Sequence, residues 1–237
     1  MSKWQKLKHR IQLATAYRWF LSLEKDIARM GIDDPSVVFD VGAHLGQTAL
    51  HFRSIFKNAH IHSFEPVTAN FEKMVQNIGT RDRISVNEMA LGSTVGKAYV
   101  HEGFSDLTHS ISSSVNPTNS KAKEEVSVET IDTYVARNKI EKIDLLKVDT
   151  EGHEMEVLKG ADTTIKGGRV EAIFTECDFR QEDKQHTYFP DLLAYLHGKD
   201  FTFFGLYDVI HYGKNYGVGY CNALFLNGKA SHLHSSL

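Results

Sequence analysis

Short apolar runs recur along the chain, and most of them end at a glycine or at an acidic residue. Runs of this length predict β-strands. The predicted strands cover residues 37–41, 61–66, 84–89, 126–128, 143–149, 170–176, 201–210 and 222–226, and the last two predict a hairpin. Stretches with apolar residues at helical spacing lie between them. These predicted helices cover residues 47–56, 69–78, 130–137 and 189–196. The alternation predicts an α/β fold built on a doubly wound sheet.

The remaining segments suggest how the chain is divided. Residues 31–228 form the predicted domain. Residues 1–30 predict a helical extension that packs on this domain, joins two copies in a homo-oligomer, or lies on a membrane surface with its basic side chains. Residues 103–123 are polar and long for a loop, which is typical of a lid. Residues 229–237 predict a tail.

Composition narrows the classes of protein that fit. The chain has 237 residues, of which 41% are hydrophobic and 24% are charged, as in one globular domain. Its formal net charge of -3 argues against a nucleic-acid partner. No apolar run reaches about 18 residues, so we expect no transmembrane segment. The two cysteines lack zinc-ligand spacing and fit a reducing compartment, so we expect a cytoplasmic protein.

A glycine-containing loop follows the first predicted strand and precedes the first predicted helix. It contains Gly42, Ala43, His44 and Gly46. Glycines let a backbone approach a ligand closely, and the helix N-terminus presents a partial positive charge. The dinucleotide fingerprint G-x-G-x-x-G is absent, because His44 occupies the second glycine position. An acid-x-Gly loop is instead typical of proteins that bind S-adenosylmethionine (SAM), with Asp40 facing the ammonium group. The alternative is a glycine turn without a ligand.

Two further strand ends fit the same nucleotide. Glu65 ends the second predicted strand, about 20 residues beyond the glycine loop, where an acid commonly accepts hydrogen bonds from the ribose hydroxyls. A surface glutamate is the alternative. Met89 and Ala90 end the next strand, beside the crevice of a doubly wound sheet, and we expect the adenine there. For Met89, the alternative is a place in a core strand.

Acidic residues also end the two strands that follow. Asp149 closes one of them, and a buried acid needs a partner because an unpaired buried charge is costly. It could meet the ammonium group of SAM, act as a general base, or bind Mg²⁺ together with Glu176, which closes the next strand. His153 either shares the role of base or simply lies at the start of a helix.

Together, three segments resemble the FkbM-type family of SAM-dependent methyltransferases. They cover residues 38–46, 64–66 and 149–160, and the last has the pattern Asp-x-Glu-Gly-x-Glu-x-x-Val-Leu-x-Gly. Residues 87–92 and 128–132 also fit the family. The resemblance extends over roughly residues 37–176. It implies a Rossmann-like class I methyltransferase sheet of seven strands, with the last strand antiparallel and helices on both faces.

The resemblance also implies SAM contacts and O-methylation. It places the SAM contacts on Asp40, Gly42, Gly46 and Glu65. Many members of the family have an acid near the position of Asn222, so any acidic role there is lost in this chain. Acceptors in the family range from sugars to macrolides, and the acceptor identity is therefore not implied.

The predicted reaction is methylation of a hydroxyl group on a sugar, a glycan or another polar small molecule. Asp149 or His153 would remove the hydroxyl proton, and Glu176 would complete the polar crevice. The alternative outside the enzyme class is a regulatory or scaffold protein that binds SAM without transferring its methyl group. A nicotinamide oxidoreductase fits the loop less well.

Overall fold

The computed structural model describes residues 22–32, 34–102, 109–112, 122–183, 185–211 and 217–228. Most of the predicted extension over residues 1–30 lies outside these ranges, as does the predicted tail. Within the extension, the chain forms one described helix, α1, which covers Leu23–Arg29. No helix in the described ranges is both long enough and apolar enough to cross a bilayer.

The strands follow the predicted order, and three additional strands join the predicted strand at residues 126–128 in a second sheet. In chain order they are β1 Val37–Val41, β2 His60–Phe64, β3 Ile84–Asn87, β4 Ala90–Leu91, β5 Gly96–Glu102, β6 His109–Ser112, β7 Ala122–Glu129, β8 Ile143–Val148, β9 Val170–Asp178, β10 Phe201–Tyr207 and β11 Tyr220–Asn227. After α1, the helices are α2 Gln47–Ile55, α3 Thr68–Ile78, α4 Ile131–Arg137, α5 Glu154–Lys159, α6 Asp162–Lys166 and α7 Phe189–His197.

The main sheet has seven strands in the order β10-β11-β9-β8-β1-β2-β3. Only β11 runs antiparallel, and it lies between β9 and β10. The order reverses at β1, which pairs with β2 on one side and with β8 on the other. Ligands of doubly wound sheets bind at the carboxyl ends of the strands beside such a switch point. The predicted class I methyltransferase sheet is therefore confirmed.

Two apolar layers fix the helices to opposite faces of this sheet. Helices α1, α2 and α3 pack on one face through residues such as Ile27, Phe52 and Met74. Helices α4 to α7 pack on the other face, where Tyr134 and Leu192 join the same cluster as the inward residues of β8 and β9. Fully burying one such large apolar side chain stabilises the fold by about 1.5–3 kcal/mol.

The second sheet has the order β4-β7-β5-β6 and adjoins the carboxyl end of β3. Its apolar side chains form a small cluster with Val67, at the start of α3. The polar stretch predicted as a lid, residues 103–123, contributes β6 and the first residues of β7. Residues 103–108 and 113–121 lie outside the described part of the chain, so the lid remains a prediction.

Candidate active site

A cavity of about 270 Å³ opens at the carboxyl ends of β1 and β2, beside the second sheet. Six residues predicted to contact a cofactor line it: Gly42, His44, Glu65, Met89, Ala90 and Asp149. Five other predicted site residues do not line it: Asp40, Ala43, Gly46, His153 and Glu176. The structure thus brings the residues predicted for ribose and adenine together with Gly42, His44 and Asp149, whereas the other five lie outside the lining of this cavity.

The glycine loop is shaped by close contact with β8. Gly42 has a φ of +78°, and a Cβ atom on it would lie 1.7 Å from the carbonyl oxygen of Asp149. Only glycine fits there, because both the backbone conformation and the space exclude a side chain. The N–H groups of Gly42 and Ala43 both donate to the carbonyl oxygen of Phe64. The loop therefore uses these donors to attach β1 to β2.

Glu65 joins the glycine loop to α3 beneath the cavity. Its carboxylate accepts hydrogen bonds from the backbone N–H of His44 at 2.9 Å and of Val67 at 3.0 Å. The Asn70 amide donates a longer one, at 3.5 Å. Burial raises the pKa of Glu65 to about 7, although these donors oppose the shift. Two carboxylate oxygens have about four lone-pair sites, so one acceptor site remains for a ligand.

A buried lysine provides the partner that the acidic strand ends require. The Lys147 side chain is only 6% exposed, and its Nζ lies 3.2 Å from Asp40 Oδ1 and 3.4 Å from Asp149 Oδ2. It also donates to the carbonyl oxygen of Gly42 at 3.3 Å. Burial opposes the charged lysine, but the two carboxylates raise its pKa above the ordinary value. Sequence reasoning missed Lys147, although a single lysine within an apolar strand was the available signal.

Asp149 lies where two cavities meet. Its side chain is 36% exposed, and it lines both the first cavity and a second one of about 400 Å³ on the α1–α2 face. No other described residue lines both. The second cavity has a mixed lining, in which apolar and aromatic side chains stand beside polar ones that include Glu24, Gln47, His51, Lys147, Asp208 and Asn222. A group held by Asp149 can therefore be reached from either side.

Glu154 shapes the loop that follows Asp149. Its fully buried carboxylate accepts hydrogen bonds from the N–H groups of Thr150 and Gly152 and from the Thr150 hydroxyl. Its second oxygen accepts the Thr187 hydroxyl at 2.7 Å. His153 precedes it at the N-terminus of α5, and its Nδ1 is buried without a hydrogen-bond partner in the described structure. Glu154 thus joins two loops at the edge of the site.

Replacing Glu154 with glutamine is expected to lower the free energy of unfolding by about 2–3 kcal/mol, because hydrogen bonds to a buried charge are among the stronger ones. Urea denaturation measures the change. Glu156→Gln is the matched control, since Glu156 lies on the same helix, half-exposed, and contacts Ser93 and Lys159. We expect the control to change stability by less than about 1 kcal/mol. Equal losses in both variants would contradict the role of Glu154.

A third group of polar side chains lies beyond Asp149. It consists of Glu151, Glu176 and His186, whose ligating atoms all lie within 4.8 Å of one another. Burial, followed by the charges of Asp149 and Glu151, raises the pKa of Glu176 to about 9. Burial and Asp149 likewise raise the pKa of Glu151 to about 7. Glu176 was predicted to join a metal site with Asp149, but the described clusters that contain three candidate ligands do not include Asp149.

Comparison with known proteins gives a family match over most of the domain. Residues 40–203 match the family described as "Methyltransferase FkbM domain". This region includes the glycine loop, Glu65, the Asp149 loop and Glu176.

Two curated proteins are similar to this chain over part of their length. The hexuronic acid methyltransferase AglP of Haloferax volcanii is 28% identical over 154 residues, which are 60% of this chain and 58% of that protein. The 2-O-methyltransferase NoeI of Sinorhizobium fredii is 28% identical over 156 residues, which are 60% of this chain and 63% of that protein. The match therefore spans less than two thirds of either relative.

Among solved structures, the M. capricolum protein TrmK, in complex with S-adenosylhomocysteine (SAH), aligns with a TM-score of 0.49 and 8% identity. That alignment covers 89% of this chain and 70% of the other.

Proposed function

Because this chain belongs to the FkbM methyltransferase family, we propose that it transfers a methyl group from SAM to a hydroxyl group of a sugar or another polar acceptor. The main support for the proposal is a single observation. The glycine loop, Glu65 and Asp149 line one cavity at the switch point of the sheet, where a nucleotide is expected.

The adenosine half of SAM would occupy the first cavity. The remaining acceptor site of Glu65 points to a ribose hydroxyl, and Met89 and Ala90 offer an apolar surface for the adenine. The methionine half would then extend past Gly42 toward Asp149. There the pair of carboxylates, Asp40 and Asp149, shares one lysine and leaves a net negative charge that suits an ammonium group.

The acceptor would approach Asp149 from the far side of the methyl group. Methyl transfer from a sulfonium is an in-line displacement: the acceptor oxygen bonds to the methyl carbon, the carbon–sulfur bond breaks, and SAH leaves. We assign the hydroxyl proton to Asp149, because Asp149 is accessible from both cavities whereas His153 lines neither. The polar and aromatic side chains of the second cavity, and the names of the two relatives, support a sugar acceptor.

The first test is thermal unfolding with SAM, SAH and NAD⁺. A ligand that binds only the folded protein at 100 times its Kd adds about 2.7 kcal/mol. For a chain of this size, this corresponds to roughly 5–11 °C in Tm. We expect SAM and SAH to stabilise the protein and NAD⁺ to leave Tm unchanged. Glu65→Gln should lose most of the SAM effect. Stabilisation by NAD⁺ alone would overturn the choice of cofactor.

Turnover distinguishes an enzyme from a protein that only binds SAM. We expect methyl transfer from radiolabelled SAM to a panel of sugars that includes uronic acids. Asp149→Asn should lower kcat about 10²–10⁴-fold at saturating SAM, whereas SAM affinity should fall much less, because Asp40 still provides a negative charge for the ammonium group. Loss of SAM binding in this variant would contradict the assignment of the base. SAM binding by the wild-type protein without any methylated product across the panel would favour the regulatory alternative.

A further inference from the structure

We propose that Glu151, Glu176 and Nε2 of His186 form a binding site for a divalent transition-metal ion such as Mn²⁺. The site adjoins the first cavity, because Glu151 lines that cavity as well. Its existence does not depend on the function proposed above. A bound ion could also hold an oxygen atom of the methyl acceptor, and that role rests on the function proposed above.

His186 is held with one nitrogen directed into the cluster. Its side chain is only 8% exposed, and its ring stacks on Tyr220 with a centroid distance of 4.7 Å. Nδ1 lies 3.1 Å from Asp183 Oδ1, and because a carboxylate only accepts hydrogen bonds, the hydrogen is assigned to Nδ1. In the neutral ring, Nε2 then presents a lone pair. A carboxylate that orients a histidine in this way is the usual outer partner of a metal-bound imidazole.

The groups that face Nε2 are acceptors too. Glu176 Oε2 lies 3.6 Å from Nε2, and no hydrogen bond within the described structure reaches the carboxylate of Glu151 or Glu176. Asp149 and Glu154 add further negative charge nearby, and the raised pKa values of both glutamates reflect this accumulation. A cation between the three ligand atoms would satisfy two carboxylates and one lone pair together.

A second cluster shares His186 and is less suited to a metal. It contains Asp178 and Asp183, and both contact the guanidinium group of Arg180. Arg180 therefore already compensates one of their two negative charges. Among the described residues, no lysine or arginine forms an ion pair with either glutamate, and we assign the metal to that pair.

The donor set also indicates which ion fits. One imidazole and two carboxylates suit Mn²⁺, Fe²⁺ or Zn²⁺, whereas Mg²⁺ prefers oxygen ligands alone. Three protein ligands leave positions open for oxygen atoms of a substrate. Glu154 supports the geometry, because it binds the loop that carries Glu151 and also Thr187, the neighbour of His186.

The test is a Mn²⁺ titration of the full chain without a histidine tag, with the signal of free Mn²⁺ followed by electron paramagnetic resonance. We expect about one bound ion per chain in the wild-type protein and competition by Zn²⁺. Glu176→Gln and His186→Gln should each weaken binding at least tenfold, and Asp183→Asn about 10–100-fold through the orientation of His186. Glu156→Gln is the control and should bind as the wild type does.

Parallel SAM binding separates this inference from the proposed function. Stabilisation by SAM without any Mn²⁺ or Zn²⁺ binding would overturn the metal site and leave the methyltransferase proposal intact. Mn²⁺ binding that persists in both Glu176→Gln and His186→Gln would place the ion elsewhere and also overturn the site. Mn²⁺ binding that these variants lose would support the site even if SAM failed to bind. Circular dichroism checks that each variant folds, and if one does not, the remaining folded variants, including Asp183→Asn, locate the ion.

Discussion

Replacing Lys147 with methionine is expected to lower the free energy of unfolding by about 3–5 kcal/mol, because it leaves buried Asp40 without its cation. For a chain of this size, the loss corresponds to roughly 6–20 °C in Tm. The deficit should shrink at acidic pH. Burial raises the pKa of Asp40, and without Lys147 that pKa rises further. A carboxyl group with a raised folded-state pKa loses stability as pH increases through it, so lowering the pH restores stability to the variant.

Lys97 offers a control for this prediction. It also forms an ion pair, with Glu125, but the two side chains are 69% and 43% exposed. Lys97→Met should therefore change the free energy of unfolding very little. The double variant Asp40→Asn with Lys147→Met should recover a large part of the loss, because it removes the uncompensated charge. Equal losses in the two lysine variants, measured by urea denaturation at pH 8, would show that burial does not determine the effect.

Replacing Gly42 with alanine is expected to cost more than about 4 kcal/mol and to abolish SAM binding. The new methyl group would lie 1.7 Å from the Asp149 carbonyl oxygen and 2.8 Å from its carbonyl carbon. Both are backbone atoms, so β1 and β8 would have to separate at the point where the cavity forms. Thermal unfolding with and without SAM measures both effects, and a variant that does not fold is the extreme form of the expected result.

Gly168→Ala separates the cost of the backbone conformation from the cost of the clash. Gly168 has a φ of +69°, close to that of Gly42, but no atom lies within 4 Å of the position of its Cβ. We expect a loss of about 1–2 kcal/mol from the left-handed conformation alone. If Gly42→Ala lost no more unfolding free energy than Gly168→Ala, this result would contradict the close contact between the glycine loop and β8.

The sequence predicted those parts of the structure that depend on the local pattern of apolar and acidic residues. Apolar runs identified the strands of the main sheet, and their acidic ends identified the edge that carries the site. Asp40 shows the limit of this reasoning. Successive side chains of a strand point to opposite faces, so Val41 lines the first cavity while Asp40 lies under it against Lys147.

The second sheet and His186 depend on contacts that local pattern does not encode. Strand β6 comes from the polar stretch and is supported by its pairing with β5. Strand β7 begins in that stretch and continues through residues 126–128, which the alternating pattern had predicted as a strand. His186 lies in a loop after β9 and is positioned by Asp183 and by Tyr220 of β11. Its role becomes visible only when these distant segments are assembled.

The position of β11 also has a consequence for the order in which the protein assembles. This strand follows every other strand of the main sheet in the chain, yet it must enter between β9 and β10. Until residues 220–227 leave the ribosome, both neighbours have open edges that can pair with another nascent chain. Insertion also brings Tyr220 against His186 and Asn222 beside Glu176. The cluster proposed to bind metal is therefore completed by one of the last pairing events of folding, so a chain stalled before β11 would be prone to aggregation and would lack that site.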